Sequence, residues 1–192
     1  MLNIILRTLT LLAFIAQWIY WRENQRKADK EKPKTEKSTS LYKLSSKIAF
    51  KLIYWSILLQ VIGITVFPIP KAMSFQAIGV FLVISSIAIT IFARRELASN
   101  WAPGYEYQIR KRHTLITSGI YQYIRHPIYL CMAISFIGAE MVAGSYLFIA
   151  MFGIFVGAYA QAKREEKILL AYFGKEYKEY MTHTKTLIPY IL

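Results

Sequence analysis

The chain has 192 residues, 55% hydrophobic and 15% aromatic, with a formal net charge of +13. That is more apolar than an ordinary soluble domain, and it coexists with strong positive charge because the two are segregated along the chain. A single cysteine, Cys131, excludes an intrachain disulfide and a thiolate metal cage; His113, His126 and His183 are too dispersed to suggest a metal site, and none is expected.

The first apolar window, Leu2–Tyr20, is broken only by Arg7 and ends among Trp18, Tyr20 and Trp21, aromatics suited to the headgroup level. No small-residue cleavage site follows it, so it reads as a retained membrane helix. Glu23–Ser40 is polar and dense in both charges, and reads as a loop. Ile48–Phe67 and Met73–Ala93 carry no charge except Lys51. Pro68 and Pro70 between them predict a helix end and a tight turn, which makes these two segments a hairpin. Roughly 20 residues at about 1.5 Å each cross a hydrocarbon core of about 30 Å, so these three windows are long enough to span.

Arg94–Arg125 is polar, with turns signalled at Pro103-Gly104 and Thr117-Ser118-Gly119. Its Tyr, His, Arg and Gly content suits binding. Pro127 fits the first turn of a fourth segment, Ile128–Ala143. Ser145–Ala162 follows, and the two form a short hairpin turned around Glu140–Gly144. The fifth segment runs without a breaker into a helix that leaves the membrane and ends near Gly174, with Ile168, Leu169, Tyr172 and Phe173 on one face. Gly153 and Gly157, one helical turn apart, predict a close helix approach.

The expected fold is therefore an all-α integral membrane protein with five transmembrane helices. Residues 1–97 form a three-helix region with a basic loop at 22–47, and residues 98–192 form a catalytic region. Arg22–Lys51 holds ten Lys or Arg, Arg94–Arg125 six and Lys163–Lys185 six; only Arg7 and Lys71 remain. Five crossings put the three rich regions on one side, which the positive-inside rule makes cytosolic, with the N-terminus outside. That bias accounts for the charge without a nucleic-acid partner. The basic loops can also contact anionic lipid.

There is no Walker loop, GxGxxG or HExxH, and no line of ionisable groups crosses the apolar windows. What remains is a cluster at the cytosolic mouth. Arg125, His126 and Tyr129 open segment four; Arg164, Glu165 and Glu166 close segment five; a hairpin brings both ends to one depth. His113, Thr114 and Tyr121 lie on the loop leading in. Arg and His before a membrane helix also serve as plain headgroup anchors, but the proline-fixed start and the tyrosine after it favour a site.

The pattern R-H-P-x-Y, about 35 residues, then E-E-x-x-L-x-x-x-F-G-x-x-Y-x-x-Y resembles the isoprenylcysteine carboxyl methyltransferase family and its phospholipid methyltransferase relatives. The likeness covers roughly Gln108 to Pro189. It implies S-adenosylmethionine as methyl donor, held by Gln108, His113, Thr114, Leu115, Ile116, Tyr121, His126, Pro127, Ile128, Tyr129 and an acid of the Glu165-Glu166 pair. It departs from the pattern in having Cys131 where glycine is common, and in a short Arg164-Glu165-Glu166 run. The implied acceptor is lipid-like and enters from the bilayer: a prenylated cysteine carboxylate, a phospholipid amine or a small thiol. Arg164 or Arg125 would steer a carboxylate, while Glu165 or His126 would serve as base for an amine. No obligate protein partner is implied. A nicotinamide-dependent membrane reductase of sterol type and a non-enzymatic anionic-lipid-binding scaffold are the competing readings.

Overall fold

The structure, a computed structural model, describes residues 1–30, 41–70, 72–101 and 113–191. In chain order the helices are α1 (Leu2–Lys30), α2 (Leu41–Ile62), α3 (Met73–Leu97), α4 (Pro127–Ala143), the single turn α5 (Leu147–Ala150), α6 (Phe152–Phe173) and α7 (Lys175–His183). Tight turns occupy Ala98–Asn100 and Gly119–Gln122. Among the described residues there is no strand, only the isolated bridges Pro68–Ser145 and Ile124–Lys185.

Several boundaries differ from expectation. Helix α1 continues past Tyr20 to Lys30 because Glu23, Gln25, Arg26 and Lys27 are good helix formers. An Arg26–Glu23 pair at 2.8 Å adds to this. With α2 starting at Leu41, the expected basic loop 22–47 is helical at both ends. Helix α2 stops at Ile62, ahead of both prolines, because Gly63 leaves helical space at φ +127°. The fifth segment does have a break: α5 and α6 are separated at Met151, where an i to i+3 bond from the Ile154 N–H to the Met151 carbonyl tightens the chain. Gly174, at φ +58°, ends α6 where expected.

Helix α4 is the centre of the bundle and packs against α1, α2, α3 and α6. Helices α2 and α3, expected as a hairpin, each rest on α1 and α4. The reason lies in the α3–α4 crossing. A Cβ on Gly79 would sit 2.6 Å from the Gly138 carbonyl, and one on Gly138 would sit 2.6 Å from the Gly79 carbonyl. Two bare backbones thus touch, the device of closely packed membrane helices. Gly153 and Gly157, expected to play that part, face open space. The core beside the crossing is Phe14, Ile57, Val61, Val83, Phe136, Ala139 and Ala143.

Helices α1 and α3 are long and apolar enough to cross a membrane, and α4 is a shorter apolar helix. Ile4, Leu52, Phe81, Phe92 and Val156 are 65–72% exposed, a girdle that water would penalise and lipid would not.

The far end of α4 carries polar contacts that the sequence did not announce. Arg7 donates to the carbonyls of Gln60 (3.2 Å), Val61 (3.3 Å) and Ala143 (2.7 Å), tying the C-terminal ends of α2 and α4 to α1. Gln60 Nε2 donates to the fully buried Glu140 at 2.7 Å. This ring anchors one end of α4 and leaves the other to build a site.

Candidate functional site

His126 caps α4 with φ −128° and ψ 58°, and Pro127 supplies the first helical residue. The approach is fixed by a strap from the C-terminus. Arg125 N–H donates to the Lys185 carbonyl (2.8 Å), Lys185 N–H to Tyr123 (3.1 Å) and His126 N–H to Thr186 (3.1 Å). The strap is itself held by α7, where Tyr177 is 1% exposed and Tyr180 donates its hydroxyl to the Tyr121 carbonyl at 2.6 Å. The Y-x-x-Y block thus docks α7 onto the loop that leads into α4.

Around this strap five charged or titratable side chains converge. Arg125 Nε donates to Glu166 Oε1 at 2.7 Å. Its two terminal nitrogens reach the Thr184 carbonyl and hydroxyl and the Thr186 hydroxyl. Lys163 Nζ donates to Glu166 Oε2 (2.7 Å) and Thr186 Oγ1 (3.0 Å). His126 Nδ1 lies 3.3 Å from Glu165 Oε2, and His126 Nε2 lies 3.6 Å from Glu166 Oε1. The rings of His126 and Tyr129 stack, with centroids 5.6 Å apart and planes 8° apart. The sequence-predicted pairing of residue 126 with 165 and 166, from opposite arms of the α4–α6 pair, is therefore present.

Burial alone would raise the Glu166 carboxyl, but the His126 imidazole 3.6 Å away and the bonds from Lys163 and Arg125 hold it well below the usual carboxylate range. Burial alone would lower the His126 imidazole, but Glu165 and Glu166 more than offset this and raise it. The Tyr121 phenol is raised, chiefly by burial and then by Tyr180 and Glu165.

The other predicted residues fall in three groups. Tyr121 is buried beside the cluster, its hydroxyl donating to the Ala93 carbonyl at 3.2 Å. Pro127, Ile128 and Tyr129 form the first turn of α4, and Arg164 on α6 is exposed. His113 packs on Tyr172 and Phe173 at centroid distances of 6.3 and 5.7 Å, bringing its loop to the end of α6. Thr114 exchanges two 3.0 Å bonds with Asn100, while Leu115 and Ile116 are half-buried. Gln108 lies outside the described residues. Sequence reasoning missed Lys163, Thr184, Thr186 and Asn100. Lys163 had a signal, three residues before Glu166 on a helix, and so did Thr184 and Thr186, alternating across Lys185.

The phospholipid methyltransferase family model matches residues 75–176, more than half of the chain. This chain belongs to the phospholipid methyltransferase family. The matched span holds Arg125–Tyr129 and Glu165–Gly174, but not Tyr177 and Tyr180 or the strap residues Thr184, Lys185 and Thr186. Relatives include the protein-S-isoprenylcysteine O-methyltransferase of Dictyostelium discoideum, 28% identical over 125 residues, which are 64% of this chain and 53% of that protein. Another is methanethiol S-methyltransferase 1 of Bradyrhizobium diazoefficiens, 38% identical over 72 residues, covering 37% of this chain and 25% of that protein. A solved structure of the eukaryotic intramembrane Ras methyltransferase ICMT is similar in fold, with a TM-score of 0.58 at 23% identity over 77% of this chain and 50% of that one. The chain spans about half the length of these relatives or less. The family-model match runs from α3 through α6, the frame on which the cluster is built.

Proposed function

We propose that the chain is an S-adenosylmethionine-dependent methyltransferase of the membrane that acts on a lipid-like acceptor, with a prenylated cysteine carboxylate as the leading candidate and a phospholipid amine or small thiol as the others. The supporting observation is the buried His126–Glu165–Glu166 contact at the depth where apolar α4 begins. In this reading α1, α2, α3, α4 and α6 give five crossings. The basic regions and the site face the cytosol of a cell or ER-type membrane, with the N-terminus outside.

The residues suit the donor. His126 Nε2 is buried without a hydrogen-bond partner, an orphan that a polar ligand group would satisfy. The N-terminal end of α4, opened by Pro127, carries the partial positive charge of a helix start and favours an anion such as a carboxylate. Glu166 is consumed by Arg125 and Lys163, whereas the ion pair that Glu165 makes is with His126, at 3.3 Å. Glu165 is accordingly the acid we assign to the donor's ammonium or ribose hydroxyls. His113 and Tyr121 line the loop that would cover the adenosine. When bound, S-adenosylmethionine supplies an electrophilic methyl on a sulfonium. The chain's task is to hold acceptor and donor in line and keep water out, and positioning alone supplies up to about 7–11 kcal/mol. A carboxylate acceptor needs no proton removed; an amine would call on Glu165 or His126.

Arg125 is bound to Glu166, Thr184 and Thr186. We therefore assign it to holding the strap rather than to steering an acceptor.

The test is transfer of labelled methyl from S-adenosylmethionine by protein in nanodiscs, offered a prenylated cysteine, phosphatidylethanolamine and an alkyl thiol. Label in at least one product, absent in Glu165→Gln, supports the reading. No label in any product, with turnover of a nicotinamide instead, overturns it.

A further inference from the structure

Four of the five groups in the cluster are sealed. Arg125, His126, Glu165 and Glu166 have side chains 4–7% exposed, while that of Lys163 is 38% exposed. Lys163 is thus the one member of this cluster that reaches outward. Its place on α6 matters. Tyr159, Lys163 and Glu166 follow at i, i+4 and i+7, on one face of the helix. Lys163 lies about 4.5 Å nearer than Glu166 to the apolar half of α6, and its ammonium sits 5.3 Å from the Tyr159 ring centroid. An amphiphile moving along α6 from the bilayer meets an aromatic ring, then this cation, and only then the acids.

Charge balance points the same way. Arg125 and Lys163 already match the two carboxylates, and each proton the His126 imidazole takes up adds positive charge. If Lys163 turns to a ligand, Glu166 keeps Arg125 at 2.7 Å and His126 at 3.6 Å, so no buried carboxylate is stranded. Arg125 cannot make the same turn without releasing Thr184 and Thr186.

We infer that Lys163 is a specificity-determining residue, pairing with a negative charge at the reacting end of the acceptor. It selects carboxylate or thiolate amphiphiles and repels ammonium headgroups. The inference rests on the methyl-transfer reading above and names the substrate class for that site.

The experiment measures binding of N-acetyl-S-farnesylcysteine and of its uncharged methyl ester to the full chain in zwitterionic nanodiscs. Wild type, Lys163→Gln and Lys163→Arg are compared, each also titrated with S-adenosylhomocysteine. Wild type binds the acid about tenfold more tightly than the ester, the strength of one charge-assisted contact. Lys163→Gln erases that preference without changing ester or S-adenosylhomocysteine affinity, and Lys163→Arg restores it. Lys163→Gln that keeps the acid preference while binding S-adenosylhomocysteine normally overturns the inference, as does wild type that binds neither farnesyl compound. Wild type that binds no S-adenosylhomocysteine overturns the methyl-transfer reading itself.

Discussion

Replacing Arg125 by Met tests whether the strap is held by charge. The guanidinium and its partner Glu166 are 5% and 4% exposed, and breaking a buried pair by removing one partner costs about 3–5 kcal/mol. Two features set the value here. Lys163 still neutralises Glu166 at 2.7 Å and still donates to the Thr186 hydroxyl at 3.0 Å, which lowers the cost; the Thr184 carbonyl and hydroxyl lose their donor, which raises it. The sum is about 3 kcal/mol, at the low end of that range, and corresponds to a melting midpoint roughly 6–12 °C lower for a chain of this size. Arg125→Lys keeps the charge but not the fork, and loses about half as much. Intrinsic fluorescence melting in nanodiscs reads the stability. Trypsin reads the strap, since Lys185 is bonded through both its N–H and its carbonyl and resists cleavage only while the bridge holds. An Arg125→Met protein with wild-type melting and an uncut Lys185 would show that the strap is not held by this bridge.

Two further predictions concern pH and packing. The His126 imidazole is raised above its usual value of about 6.5 by Glu165 and Glu166. Its contribution to stability is fully present below about pH 6.5 and is lost as pH rises through the higher folded-state midpoint. The wild-type melting midpoint should therefore fall with rising pH in that window, and the fall should be smaller in His126→Gln; parallel curves would contradict the assignment. Gly79→Ala drives a methyl group to 2.6 Å from a backbone carbonyl and should cost about 1–3 kcal/mol by melting. Gly153→Ala and Gly157→Ala, in open space, should stay within about 0.5 kcal/mol of wild type.

The pairing of His126 with Glu165 and Glu166 was legible because two ordered blocks bracket a hairpin, and hairpin geometry fixes relative depth. The end of α6 at Gly174 was legible from one glycine at the close of an amphipathic run. The neighbour relations of α2 and α3 were not. Chain order suggests that sequential helices pack together, but the glycines that decide it, Gly79 and Gly138, lie 59 positions apart, and nothing local marks either as a contact. Gly153 and Gly157 had the spacing of a packing motif and no partner. Arg7 looked like a blemish in an apolar run, and its role depends on carbonyls at positions 60, 61 and 143. Lys163 was passed over for Arg125 and Arg164 because exposure and saturation, which rank these three cations, are properties of the folded cluster alone.

In the proposed reading the two ends of the α4–α6 pair share one small polar ligand, the methyl donor. Titration calorimetry of S-adenosylhomocysteine into the nanodisc-held chain tests it most directly. One site per chain is expected, weakened by about tenfold or more in His126→Ala and in Glu165→Gln and unchanged in Gly153→Ala. Binding to wild type that survives both His126→Ala and Glu165→Gln, or no binding to wild type alongside stabilisation by a nicotinamide, would contradict it.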